Sequence, residues 1–267
     1  MYKQLESAWE GIYMSRIQEV FRNRNQKAFV PYIMAGDGGL ETLREKLLFL
    51  QENGVDAVEL GIPFSDPVAD GPTIQKAGIR ALEAGVTLTG VLETIQSFKH
   101  EINIPLILMT YTNPVIAFGI ESFAKKAALA GIDGCIIPDL PIEEEELFVP
   151  HIEAAGMELI RLVTVTSPED RIREITARGN GYVYAVTVAG ITGTRSGFHS
   201  ELGDFLEKVK NASRLPVLAG FGISTPEHVR EMNQHCDGVI VGSKIIELFD
   251  ENKLEEIKKL IQAAKTG

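Results

Sequence analysis

The residue best placed to do chemistry is an acid inside an apolar run. In Val55-Asp56-Ala57-Val58-Glu59-Leu60, Glu59 is flanked by Val58 and Leu60. If those two face outward from a strand, Glu59 faces the other way, into a barrel or sheet interior. A carboxylate there is costly unless paired or neutralised, which is how general acids and bases are tuned. The next residues, Gly61-Ile62-Pro63-Phe64-Ser65-Asp66-Pro67-Val68-Ala69-Asp70-Gly71-Pro72, offer two further carboxylates, Asp66 and Asp70. Asp-Pro and Asp-Gly each read most simply as turns. Taken together, a loop stiffened by prolines that carries an acid back toward Glu59 supplies the second half of an acid/base pair.

A second group of residues is suited to an anion. Glycine-rich turns occur at Gly190-Ile191-Thr192-Gly193, at Gly220-Phe221-Gly222 and at Gly242-Ser243, each following an apolar run. Glycines at strand ends that lead into helix starts let backbone N–H groups approach phosphate oxygens. None of the apolar runs contains a lysine for a Schiff base. The histidines, at 100, 151, 199, 228 and 235, form no His-x-x-x-His pair, so no metal site is expected. The inventory points to cofactor-free acid/base chemistry on a small phosphorylated molecule.

The elements that must position these groups are short. Apolar runs at 29–34, 55–60, 105–109, 134–137, 158–163, 182–186, 216–219 and 238–241 are too short for helices and mostly lack clean alternation. That is the appearance of strands buried on both faces. Amphipathic stretches separate them, such as the one bearing Leu40, Leu43, Leu47 and Leu50. Eight strands alternating with helices predict an α/β fold, a single (β/α)8 TIM barrel spanning 1–267. A doubly wound open sheet is the alternative, but Ala35-Gly36-Asp37-Gly38-Gly39 is not a dinucleotide fingerprint. An extra N-terminal helix is expected to close the barrel bottom. An extra helix is expected after the second strand, from stretches at about 73–83 and 88–100. Ser224 and Ser167 offer helix caps, and the acidic run 143–146 reads as a solvated first turn.

With 26 basic residues against 37 acidic ones, the net charge of −11 argues against nucleic acid. No stretch is suited to a membrane span or a signal peptide. Cys135 and Cys236 lie in apolar runs and read as buried thiols of a reducing compartment, so a cytoplasmic protein is expected.

The segment from Glu59 to Gln75 closely resembles the signature of the tryptophan synthase alpha chain family. Similarity extends over Pro31-Tyr32-Ile33-Met34-Ala35-Gly36-Asp37, Met109-Thr110-Tyr111-Thr112-Asn113-Pro114, Pro138-Asp139-Leu140-Pro141 and the three glycine motifs. The resemblance implies a barrel that splits indole-3-glycerol phosphate into indole and glyceraldehyde 3-phosphate. It also implies an αββα heterotetramer whose beta chain, not this one, carries pyridoxal phosphate. By resemblance Glu59 and Asp70 are the catalytic acids. Tyr32, Tyr184, Thr192 and Phe221 match positions around the indole and the catalytic loop. Gly193, Gly222, Gly242 and Ser243 match phosphate-contacting positions. Gly38 and Lys244 depart from residues common in the family. The glycines at 190, 193 and 197 predict a mobile lid that closes over the acids. A free-standing lyase, or a non-catalytic module that binds a phosphorylated ligand, remains an alternative at this point.

Overall fold

A computed structural model of the chain describes residues 14–22, 26–187, 195–220 and 222–266, without the side chains of 195–200. The chain begins with α1 (Arg16–Arg22), β1 (Ala28–Met34), α2 (Leu43–Glu52) and β2 (Val58–Gly61). It continues through α3 (Pro72–Glu83), α4 (Leu88–Phe98), β3 (Leu106–Met109), α5 (Thr112–Phe118), α6 (Ile120–Ala130) and β4 (Gly134–Ile136). Next come α7 (Val149–Ala154), β5 (Glu158–Leu159), β6 (Arg161–Thr164), α8 (Glu169–Ala177) and β7 (Val183–Val186). The last elements are α9 (Arg195–Ala212), β8 (Val217–Gly220), α10 (Pro226–His235), β9 (Gly238–Val241), α11 (Ser243–Asp250) and α12 (Leu254–Lys265).

The strands are parallel and run β5-β4-β3-β2-β1-β9-β8-β7-β6. The two ends of that order, β5 and β6, are separated only by Ile160, so the sheet closes on itself as a TIM barrel. The run expected as one fifth strand is therefore split: β5 pairs with β4, and β6 pairs with β7. The β4–β5 register, Gly134 opposite Glu158, would place Pro138 opposite Leu162, where a proline has no N–H to extend the ladder.

Alternation within the strands separates two cores. Ala28, Val30, Ala57, Ile107, Ile136, Ile160, Leu218 and Ile240 fill the barrel interior together with Tyr182 and Tyr184. Ile17 and Phe21 of α1 join this inner cluster, so the N-terminal helix plugs the barrel bottom as expected. Phe29, Val58, Leu60, Leu108, Val183, Val217 and Val239 point outward, under the helices. Both expected helices after β2 are present, as α3 and α4.

Three local expectations need correction. Thr225, not Ser224, caps α10, accepting from His228 N at 3.2 Å, because Pro226 takes the first helical position. Ser167 does not cap α8; its hydroxyl accepts from Thr164 N at 3.1 Å and turns the chain. The acidic run forms a short 3-10 turn, Ile142–Leu147, and is not wholly solvated. Glu145 is buried against Arg161, with Arg161 Nη2 to Glu145 Oε2 at 2.8 Å and Nε to Oε1 at 2.9 Å.

That buried pair generates a stability prediction. Arg161→Met leaves the Glu145 carboxylate desolvated and uncompensated, which costs ~3–5 kcal/mol. Adding Glu145→Leu removes the orphan charge and recovers most of the loss. Urea unfolding of the single and double variants measures both effects, and equal loss in the two would refute the pairing argument.

Candidate active site

β2 carries Glu59 with Val58 and Leu60 facing the helices, so its carboxyl enters the barrel interior, 1% exposed. Tyr182, just before β7, donates its hydroxyl to Glu59 Oε1 at 2.7 Å. Glu59 Oε2 is buried with no hydrogen-bond partner among the described residues. Burial raises the Glu59 pKa to about 8, and the Tyr182 hydrogen bond only partly opposes this. At neutral pH this side chain is an acid, with a proton to give.

Asp70 approaches from the loop after β2. Its backbone N donates to Pro67 O at 3.1 Å, and Gln75 Nε2 donates to Asp70 O at 2.8 Å. The neighbouring Ala69 N donates to the Tyr111 hydroxyl at 3.1 Å, and the Phe64 and Tyr111 rings lie 5.3 Å apart. The loop is thus fixed onto the segment after β3. Asp70 is half-buried, and desolvation raises its pKa to about 6, opposed by the adjacent Tyr111 hydroxyl. Asp66 instead is exposed, accepts from Ser65 Oγ at 2.5 Å and serves the turn.

Tyrosines line the space shared by the two acids. Tyr32 on β1 lies opposite Glu59 in the β1–β2 register and is buried. Its pKa is held well above the ordinary range, first by burial and then by Asp70, Tyr111, Glu59 and Tyr184. Tyr184 on β7 is shifted the same way by burial, Glu59 and Asp70. These mutual influences place both acids and the tyrosines in one mouth. Room for the rings comes from glycine. A Cβ on Gly61 would lie 1.8 Å from the Tyr32 hydroxyl, and one on Gly220 would lie 2.4 Å from that of Tyr184.

Gly222 stands exposed between β8 and α10, with a φ of 76° that favours glycine. Gly242 and Ser243 stand at the start of α11, where the first helical N–H groups have no intrahelical acceptor. A Cβ on Gly242 would come within 3.6 Å of Tyr32 Cβ, so this helix start adjoins the tyrosine-lined mouth. Lys244 pairs with Glu247 at 3.2 Å along the helix. Thr192, Gly193 and Phe221 lie outside the described residues, as does most of the expected lid; its end, from Arg195 through Gly197, forms the first turn of α9. Two further tyrosines, Tyr182 and Tyr111, belong to the site. Tyr182 shares a strand face with Tyr184 by simple alternation, and that signal could have found it. Tyr111 sits beyond its strand, where periodicity says nothing.

A closed parallel barrel that gathers carboxyls and tyrosines at the mouth formed by its strand ends has the build of a barrel enzyme. The sequence profile of the tryptophan synthase alpha chain family matches residues 19–266. A tryptophan synthase alpha chain of Bacillus cereus is 57% identical over 252 residues, which cover 94% of this chain and 97% of that one. That of Bacillus anthracis is 56% identical over the same span. Among solved structures, the tryptophan synthase subunit alpha of Legionella pneumophila str. Paris superimposes with a TM-score of 0.85 at 34% identity, covering 94% of this chain and 99% of that one. A chain from Aquifex aeolicus VF5 gives a TM-score of 0.86 at 35% identity, covering 94% and 100%. The chain belongs to the tryptophan synthase alpha chain family. It is a lyase of tryptophan biosynthesis and catalyses the cleavage of indole-3-glycerol phosphate.

The raised pKa of Glu59 has a consequence for stability. Between its ordinary 4.5 and about 8, the unfolded chain binds fewer protons at this group than the native one, so stability falls as pH rises. Glu59→Gln removes that penalty. Its gain in stability over the unmodified chain should grow from about pH 5 to about pH 8 and then level off. Thermal unfolding across that range checks it, and a gain independent of pH would show that Glu59 titrates normally.

Proposed function

We propose that Glu59 and Asp70 divide the proton chemistry of the cleavage. The observation that carries this is the Glu59 carboxyl, buried in the mouth with Oε1 held by Tyr182 and Oε2 unpartnered among the described residues. Glu59, protonated, gives its proton to indole C3. The ring becomes an indolenine, with its positive charge at the ring nitrogen offset by anionic Asp70. Glu59, now anionic, removes the proton of the glycerol hydroxyl next to the scissile bond. The carbonyl forms, the carbon–carbon bond breaks and its electrons restore the aromatic ring. Proton and charge balance, and Glu59 is returned protonated.

The same reading assigns Tyr32 and Tyr184, with Phe221 and Thr192, to the walls around the indole. Gly193, Gly222, Gly242 and Ser243 are assigned to the phosphate, held by backbone N–H groups and the α11 dipole. No cofactor is assigned to this chain. Family membership implies a beta chain partner. We place this chain with it in an αββα heterotetramer, in the cytoplasm, with pyridoxal phosphate on the beta chain. The described residues include no helix long and apolar enough to cross a membrane. Residues 1–267 are read as one domain.

Glu59→Gln is the direct test. The amide keeps the shape but cannot shuttle a proton, so indole release from indole-3-glycerol phosphate should nearly vanish while phosphate-ligand binding persists. Activity retained within about tenfold, a barrier change of only ~1.4 kcal/mol, would overturn the assignment. Asp70→Asn should also impair turnover, because a neutral amide cannot offset charge at the ring nitrogen.

The phosphate assignment is tested separately. Gly242→Val should weaken binding of glyceraldehyde 3-phosphate and of indole-3-glycerol phosphate together, and leave indole binding unchanged. Calorimetry with the three ligands distinguishes this from general damage, in which all three would weaken.

A further inference from the structure

The helix that plugs the barrel bottom reaches the acid at its mouth through a single ring. Phe21 of α1 packs on Tyr182 with ring centroids 5.1 Å apart and planes at 50°. Tyr182 is fully buried and spends its hydroxyl on Glu59 Oε1. The backbone leading into Tyr182 is seated on the same helix. A Cβ on Gly181 would lie 2.9 Å from Ile17 Cγ2, and 2.4 Å from Glu158 Oε2. The helix is itself tied down. The Ser15 hydroxyl donates to Glu158, and Arg16 reaches Asp133 Oδ1 at 3.2 Å and Ile104 O at 3.1 Å.

We infer that Phe21 is a positioning residue for the cleavage reaction, acting from the barrel bottom through the Tyr182 ring to fix which oxygen of Glu59 faces the substrate. The inference rests on the proposed role of Glu59. A tyrosine hydroxyl keeps a carboxylate oxygen in place only while its ring cannot tilt, and in this inner core Phe21 packs against that ring. With Oε1 so occupied, Oε2 is the oxygen left to exchange a proton. Shrinking Phe21 frees the ring to tilt, loosens the hydrogen bond and lets the carboxyl rotate. Because that bond favours the charged form, its loss raises the Glu59 pKa further. The titratable groups around this pair are Tyr32 on β1, Asp70 on the β2 loop, Tyr184 on β7 and, behind Tyr182, Glu158 on β5. None of them is touched by the substitutions below.

The experiment is a double-mutant cycle on the full chain, with kcat, KM and the pH profile of kcat/KM as readouts. Tyr182→Phe should lower kcat about tenfold, leave KM nearly unchanged and move the alkaline limb up by about one pH unit, the scale of one charge-assisted hydrogen bond. Phe21→Leu should shift kcat and the limb in the same direction, by less. In the Tyr182→Phe background, Phe21→Leu should have no further effect on either. A purely structural role predicts otherwise: Phe21→Leu would lower the melting temperature with kcat and the limb unchanged, or its effects would multiply with those of Tyr182→Phe. Either result overturns the inference. A carbon-13 NMR titration of the Glu59 carboxyl separates this from failure of the catalytic reading. If Glu59→Gln proves active, the carboxyl's titration still responds to Phe21→Leu when the positioning claim holds, and does not when it fails.

Discussion

Burying the Glu59 carboxyl at the barrel mouth disfavours its charged form, and much of the upper barrel follows from accommodating that group. Among the described residues a single hydroxyl, from Tyr182, meets one of its oxygens. One hydrogen bond is too little to stabilise the anion against desolvation, so the proton stays on. Two or three donors would have kept the carboxylate ionised at neutral pH.

The position of that carboxyl is a property of the sheet rather than of the loop. Parallel pairing of β1 with β2 sets Tyr32 beside Glu59, and pairing of β2 with β3 sets Ile107 on the other side. A slip of one residue in β2 would send Glu59 under the helices and Leu60 into the mouth. Burial of both faces of β2 makes such a slip prohibitive. The tyrosines need space at the same level, and the strand ends supply it by omission, with Gly61 next to Tyr32 and Gly220 next to Tyr184. Large ring and missing side chain work as complementary halves of one wall.

How much of this the sequence disclosed depends on the range of the interaction. The interior placement of Glu59 was legible because alternation is local: Val58 and Leu60 betray it within three residues. The barrel was legible from eight apolar runs, as was the pair of helices α3 and α4. The break at Ile160 was not, since it depends on what Pro138 offers just past the end of a neighbouring strand. Glu145 was misread for the same reason. Its three acidic neighbours in the run look solvated in sequence, and only Arg161, sixteen positions on, makes its burial tolerable. The Tyr182 hydroxyl meets Glu59 across 123 positions, a contact that no local pattern encodes. Alternation with Tyr184 could have put Tyr182 on the interior face, but not its hydroxyl on Glu59, and nothing local marks Tyr111 as the neighbour of Asp70.

The two acids show how one functional group can take two protonation states in one cavity. Glu59 sits on a strand, at full depth, with a rigid backbone on either side. Asp70 sits on a proline-braced loop, half-buried, beside the Tyr111 hydroxyl. Deeper burial, added to ordinary values of 4.5 and 3.8, sets their pKa values apart, at about 8 against about 6. Between those values Glu59 is predominantly neutral and Asp70 predominantly charged. The proposed donor for carbon and counter-charge for nitrogen can then coexist, their opposite demands on protonation met by unequal burial. Placing one on each element is what gives the barrel mouth its chemical polarity.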